Sequence, residues 1–273
     1  MYYKIINKKW NHHGYQYVPG LNILQEQFND NSSYSCCAGG FYFTTINHIF
    51  KFLDFGCYLV EVILPTSDSD FKMVSDPEDI KFRSNKIILG NKYDLTDITT
   101  IQMMIDLGAD VHADDDYALR WASENGHLEV VEFLVGIGFD IHANNDYAFR
   151  IASENGHVEV VKFLVKIGAD IHASNDYALR LASANGRLEV VMFLVEKVGV
   201  KFNVHSICDA LQWARQYEHM DVVHYLDGKG VKDNVDDDYP SSSSTSEIWH
   251  LDMVLMMINF YDEHRMGRLF GSC

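Results

Sequence analysis

Basic residues are scarce in this chain of 273 residues: 22 lysines and arginines face 39 aspartates and glutamates, a formal charge of −17. Binding to a nucleic-acid backbone needs clustered Lys and Arg, and no such run is visible, so nucleic acid is not expected as a partner. Long apolar runs are missing as well. No stretch approaches the roughly 20 residues that cross a bilayer, and the opening MYYKIINKKWNHHGY lacks the apolar segment of a secretion signal. No membrane partner is therefore expected, and the cytoplasm or nucleus is the expected compartment. The five cysteines are an odd number, with Cys36 and Cys37 adjacent and the others scattered, which makes no disulfide framework and suits a reducing environment.

What the chain has in quantity is repetition. Tyr117, Tyr147 and Tyr177 mark a period of thirty residues. One copy, DDDYALRWASENGHLEVVEFLVGIGFDIHA, runs from Asp114; a second, NNDYAFRIASENGHVEVVKFLVKIGADIHA, from Asn144; a third, SNDYALRLASANGRLEVVMFLVEKVG, from Ser174. Self-similarity at this period marks stacked helical units, none of which can bury its apolar face alone. In the second copy Ala148–Ser153 reads as a short first helix, Asn155-Gly156 as a turn and Val158–Val165 as a second helix. Asp146 stands where an N-cap acceptor belongs, and Gly156 where a left-handed residue ends the first helix. Val158, Val161, Leu164 and Val165 are the expected apolar stripe. Arg120, Arg150 and Arg180 stand near Asp116, Asp146 and Asp176 as candidate ion pairs.

The array has ends. Residues 95–113 match only the second half of a block, full units follow at 114–143, 144–173 and 174–206, and 207–232 is the last. In that unit Arg215, Gln216, Tyr217 and Glu218 replace Ser-Glu-Asn-Gly, as a solvent-facing cap requires. The stretch Lys197–Ser206 is about two residues longer than its counterparts, which predicts a bulge.

Residues 1–91 contain no copy of the block and read as a separate small α+β domain. Phe41–Thr45, Tyr58–Leu64 and Ser84–Leu89 have strand composition, and Ile46, Ile49, Phe50 and Leu53 have helical spacing between the first two. His12, His13, Cys36, Cys37, His48 and Cys57 lack the paired spacing of a zinc site, and the His112, His142, His172 series is spread over stacked units about 8 to 10 Å apart, too far for one ion. Neither metal nor cofactor is expected. Residues 233–247, with three consecutive aspartates and four serines, read as a flexible linker. Beyond it, 248–273 is a tail with a helical segment, apolar on most faces from Leu251 to Phe260, which needs either the array or a partner to cover it.

The blocks resemble ankyrin repeats. Ala-Ser-Glu-Asn-Gly-His-Leu-Glu-Val-Val-Glu-Phe-Leu-Val from Ala122 and Gly168-Ala169-Asp170-Ile171 match that family's A-A-x-x-G-H-x-x-x-V-x-x-L-L and G-A-D-V segments. The whole arrangement is similar to the ankyrin-repeat proteins of giant DNA viruses of the mimivirus kind. The resemblance implies a mostly α fold, an ankyrin-repeat solenoid over 92–232, and a viral protein that binds proteins of host or virus rather than catalysing a reaction. Where the family has thirty-three residues and Thr-Pro-Leu-His, this chain has thirty and Tyr-Ala-Leu-Arg or Tyr-Ala-Phe-Arg, which implies short fingers and the loss of a Thr–His hydrogen bond. The family's recognition positions fall here on Asp114, Asp115, Trp121 and Glu124, on Asn144, Asn145, Ile151 and Glu154, and on Ser174, Asn175 and Leu181. Trp121 is the anchor candidate; the competing reading has Trp121, Ile151 and Leu181 packing against the next repeat. A second functional reading is an enzyme with a nucleotide-binding N-terminal domain, from the similarity of Tyr2-Tyr3-Lys4 and the Gly39-Gly40 pair before Phe41 to small ADP-ribosyltransferase folds.

Overall fold

The computed structural model describes residues 1–12, 14–33, 38–77, 80–197, 202 and 204–229. The linker and tail expected at 233–273, and half of the insertion expected at Lys197–Ser206, lie outside them. Two compact units result. One contains Met1–Thr45 and Val60–Lys92; the other contains Ile46–Leu59 and Tyr93–Asp233.

The first unit is built on a sheet. Its strands are β1 (Tyr2–Ile6), β2 (Asn11–His12), β3 (Tyr15–Gln16), β4 (Gly20–Ile23), β5 (Phe41–Thr45), β6 (Tyr58–Ile63), β7 (Met73–Ser75), β8 (Lys81–Ser84) and β9 (Lys86–Asp94). Seven form one sheet in the order β4-β9-β6-β1-β5-β8-β7, and β2 and β3 make a separate hairpin. The pairs β1–β5, β4–β9, β5–β8 and β7–β8 are antiparallel, with Phe41 opposite Ser84 and Phe43 opposite Phe82. Alternation decides the faces: Phe41 and Phe43 are buried while Tyr42 between them is half-buried, and Ile87 and Leu89 go inward. The strands expected from composition all form, the last dividing at Asn85 into β8 and β9.

The helical unit contains α1 (Ile98–Asp106), α2 (Ala113–Glu124), α3 (Leu128–Gly136), α4 (Ala143–Asn155), α5 (Val158–Lys166), α6 (Ala173–Ala184), α7 (Leu188–Lys197), α8 (Val204–Gln216) and α9 (Met220–Gly228). First and second helices of each repeat pack together as α2/α3, α4/α5, α6/α7 and α8/α9. Between repeats, α2, α4, α6 and α8 pack in order, as do α1, α3, α5, α7 and α9. The buried side of a second helix is narrower and displaced from the expected stripe: in α5 it is Val160, Val161 and Leu164, with Val158 and Val165 half-buried. A helix held both by its partner helix and by its neighbours in the stack buries residues one and four apart.

One segment departs from the expected boundary at residue 91. Ile46–Phe55 forms a 3-10 helix that buries Ile46, Ile49, Phe50 and Leu53, and it belongs to the helical unit, where it packs on α2. The half repeat at 95–113 has no first helix of its own sequence. This segment supplies one. Asp110 N donates to Asn47 O at 3.1 Å, Leu95 N to Cys57 O at 2.9 Å, and Lys51 pairs with Asp114 at 3.0 Å.

Candidate interaction surface

Each full repeat enters its first helix through the same unusual turn. Asp114, Asp115 and Asp116 have φ of 53°, 54° and 61°; Asn144, Asn145 and Asp146 have 54°, 59° and 54°; Ser174, Asn175 and Asp176 have 54°, 57° and 59°. Left-handed backbone costs an L-residue about 1–2 kcal/mol, and Asn and Asp tolerate it best. That is why this short finger is written almost entirely in Asp and Asn.

Side chains of the same repeat hold the turn. Arg150 donates from Nε to Asn145 O at 2.9 Å and from Nη2 to Asn144 O at 2.8 Å; Arg180 Nη2 reaches Ser174 O at 3.3 Å, and Arg120 Nη2 donates to Asp114 O. The expected ion pairs with Asp116, Asp146 and Asp176 are replaced by these carbonyl contacts, because the left-handed turn points its carbonyls at the guanidinium. The carboxylates have other work. Asp146 Oδ1 accepts from His142 Nδ1 of the preceding repeat at 3.0 Å and from Asp170 N near the end of its own repeat at 2.9 Å, so it links two repeats rather than capping α4. Asp116 pairs likewise with His112 at 2.5 Å and accepts from Asp140 N at 3.4 Å, and Asp176 takes His172 and Ser206 Oγ.

The arginines also stack. Arg120 lies 5.2 and 5.6 Å from the ring centroids of Tyr117 and Tyr147, Arg150 lies 5.3 and 5.7 Å from those of Tyr147 and Tyr177, and Arg180 lies 5.5 Å from that of Tyr177. Rings and guanidinium groups thus alternate through three repeats, each contact worth about 0.5–2 kcal/mol. Carboxylates close both ends: Tyr117 Oη donates to Asp54 of the 3-10 helix, and Arg180 meets Asp209. Burial pushes the Arg150 guanidinium below its ordinary value, while Tyr147, Tyr177, Asp146 and Glu154 act in the opposite direction.

A second repeating device closes the first helices. Asn125, Asn155 and Asn185 donate from Nδ2 to the carbonyls of Trp121, Ile151 and Leu181 at 2.8, 3.0 and 2.9 Å. From the following repeat, His157 Nε2 donates to Glu124 O at 2.8 Å and Arg187 Nε to Glu154 O at 3.0 Å. These side chains lie over Gly126 and Gly156, whose φ are 73° and 84°. A Cβ there would come within 2.4 Å of His157 and 2.7 Å of Arg187. The expected left-handed Gly156 is thus present, and its lack of a side chain serves the inter-repeat contact as well as the turn.

The recognition candidates divide. Asp114, Asp115, Asn144, Asn145, Ser174 and Asn175 are exposed, and Glu124 and Glu154 half-buried. Trp121, Ile151 and Leu181 are only 4%, 6% and 7% exposed, so they are corrected to packing residues; the Trp121 ring lies 5.2 Å from that of His127. Sequence reading missed the arginine–tyrosine ladder, although Arg recurs three residues after every Tyr of the period.

In the sheet unit, the glycines behind the nucleotide-binding reading are occupied by the chain itself. A Cβ on Gly39 (φ 92°) would lie 2.8 Å from Gln27 O, and one on Gly40 would lie 3.1 Å from the Arg83 side chain. Arg83 is buried and donates to Asn29 O at 2.8 Å and Tyr42 Oη at 3.1 Å. Phe41, Phe43 and Thr44, beside which that reading needs a pocket, are buried.

Comparison with known proteins gives this geometry a context. The family model described as ankyrin repeats (3 copies) matches residues 92–175 and 149–237. An ankyrin repeat protein of Acanthamoeba polyphaga mimivirus is 46% identical over 132 residues, 48% of this chain and 65% of that protein. An uncharacterized protein of the same virus is 43% identical over 131 residues, 48% of this chain and 94% of that protein. Another ankyrin repeat protein of the virus is 42% identical over 130 residues, 46% of this chain and 42% of that protein. The chain therefore spans less than two thirds of the first and third of these relatives.

Proposed function

Because the chain belongs to the ankyrin-repeat family, we propose that it is a non-enzymatic interaction scaffold, a viral protein whose array engages host or viral proteins in the cytoplasm or nucleus. Ankyrin repeats are typically protein-interaction modules, and among the described residues no helix is long and apolar enough to cross a membrane. The observation that carries the reading is the row of exposed finger residues, each held on a backbone fixed by Arg120, Arg150 or Arg180. The array is a solenoid whose short fingers present two carboxylates (Asp114, Asp115), then two amides (Asn144, Asn145), then a hydroxyl and an amide (Ser174, Asn175). Half-buried Glu124 and Glu154 extend the surface toward the ends of the first helices. Such preorganised polar groups favour a partner with basic and hydrogen-bonding side chains, basic at the first finger.

The test is capture of partners from host lysate by the wild type and by Asp114→Asn/Asp115→Asn and Asn144→Asp/Asn145→Asp, variants that change the charge of each finger while keeping side chains that tolerate its left-handed backbone. Loss of one specific partner with an unchanged melting temperature is the expected result. Capture of the same partner by all three proteins rejects the finger surface as the site.

A further inference from the structure

The second helices carry an apolar series that the packing of the array does not use. Leu107, Ile137 and Ile167 recur at the thirty-residue period at the ends of α1, α3 and α5, and they are 46%, 47% and 36% exposed. Leu107 opens onto a groove of about 480 Å³ lined by Ile98, Met103 and Phe133, with Thr99, Gln102 and Asp106 at its rim. An exposed Leu or Ile at one such site needs no explanation, but the same exposed position on three successive repeats makes a row.

From this row we infer that α1, α3 and α5 form a second docking surface for a basic amphipathic helix of a partner protein, independent of the fingers. Two properties of the row select that occupant. Stacked helices stand about 8–10 Å apart, and a helix advances about 10.5 Å over seven residues. Apolar residues at i, i+7 and i+14 of a helix laid across the repeats therefore meet Leu107, Ile137 and Ile167 in turn. The rim sets the charge. Asp106 lines the groove and Glu129 and Glu132 are exposed on α3; α1 and α3 contain no Lys or Arg, whereas α5 has Lys162 and Lys166 beside a single acid, Glu159, which pairs with Lys162 at 2.6 Å. The partner helix is thus basic over α1 and α3 and loses that preference over α5, so its direction is specified. The apolar stretch of this chain at 251–260 is a poorer match for that rim, since it contains Asp252 and is followed by Asp262 and Glu263.

The probe is a fluorescent synthetic helical peptide with leucines seven residues apart and lysines on its other faces, titrated against the full chain by anisotropy. Leu107→Asp and Ile137→Asp, both at exposed positions, are expected to weaken binding about tenfold or more each while far-UV circular dichroism and melting temperature stay unchanged. A peptide of the same composition with its leucines out of helical register is expected to bind as weakly as the variants. Equal binding by the wild type and both variants, or by both peptides, would reduce the effect to the net charge of the chain and overturn the proposal. A marked gain in peptide affinity on Leu251→Asp/Leu255→Asp would also overturn it, by assigning the groove to the chain's own tail.

Discussion

The Arg180 guanidinium lies 3.8 Å from the carboxylate of Asp209, and Asp209 stands in the last repeat where Tyr177 stands one repeat earlier. The alignment of Ala178-Leu179-Arg180 with Ala210-Leu211-Gln212 puts the two positions in register and shows how the ladder stops: ring and guanidinium are both replaced, and a carboxylate meets the last arginine.

Arg150, at the centre of that ladder, makes two bonds to finger carbonyls and lies between two rings. Arg150→Leu is expected to cost about 3 kcal/mol, because two part-buried hydrogen bonds from a charged donor to finger carbonyls are lost and both ring contacts disappear. Arg150→Lys keeps one charge without the planar fork and should recover only part of that. Asp209→Ala, at a half-exposed end with a long ion pair, should stay within about 0.5 kcal/mol of the wild type. Urea midpoints at constant m-value read all three; an Arg150→Leu protein as stable as Asp209→Ala would remove the ladder from the energetics of the array.

The glycine rule makes an opposed pair of predictions. Gly126→Ala places a Cβ 2.4 Å from His157 Nδ1 on left-handed backbone and should destabilise by about 2–4 kcal/mol. Glu218 holds the equivalent place in the last repeat with φ of 61°, and no further repeat of the array follows α9 among the described residues to lay a side chain over it. Glu218→Gly should therefore stabilise slightly, by up to about 1 kcal/mol. Thermal melts of the two variants should move in opposite directions.

Lys4, 5% exposed on β1, donates to Tyr42 O at 2.8 Å and lies 5.0 Å from the Tyr17 ring centroid; burial pulls its ammonium down to about 8. Between pH 8 and 10.5 the unfolded chain holds the extra proton, so this group makes stability rise with pH in that window. Below pH 8 its full cost of about 3 kcal/mol is present. Burial raises Tyr3, Tyr15 and Tyr17, which makes stability fall again once tyrosines of the unfolded chain ionise near pH 10. Lys4→Met should be more stable at pH 7 and lose the rise between pH 8 and 9.5 in pH-dependent urea melts. Parallel pH profiles for the two proteins would contradict this.

Much of the array was legible because its signals are local. The thirty-residue period, the two helices per block and Gly156 all follow from neighbours in sequence. Three features were not. Apolar spacing over Ile46–Leu53 announces a buried face, but nothing in it says which core receives that face, and it is the array that does. Three successive left-handed residues are written in Asp and Asn, a composition equally suited to an N-cap, so Asp146 reads as a cap until its φ is known. Arg150 has carboxylates near it in sequence, and proximity along the chain favours the ion pair over the carbonyls that the turn presents. In the sheet unit, strand composition identified β5, β6 and β9, whereas the pairing of Gly39 and Gly40 with Gln27 and Arg83 is a long-range fit that no short motif reports.

The central claim, that the fingers of the array hold a protein partner, is tested most directly by cross-linking mass spectrometry on a complex captured from infected cells with the full chain. Cross-links and hydrogen-exchange protection concentrated around Asp114–Asp115, Asn144–Asn145 and Ser174–Asn175 are the predicted result. Protection confined to the sheet unit, with the fingers exchanging as in the free protein, would contradict it.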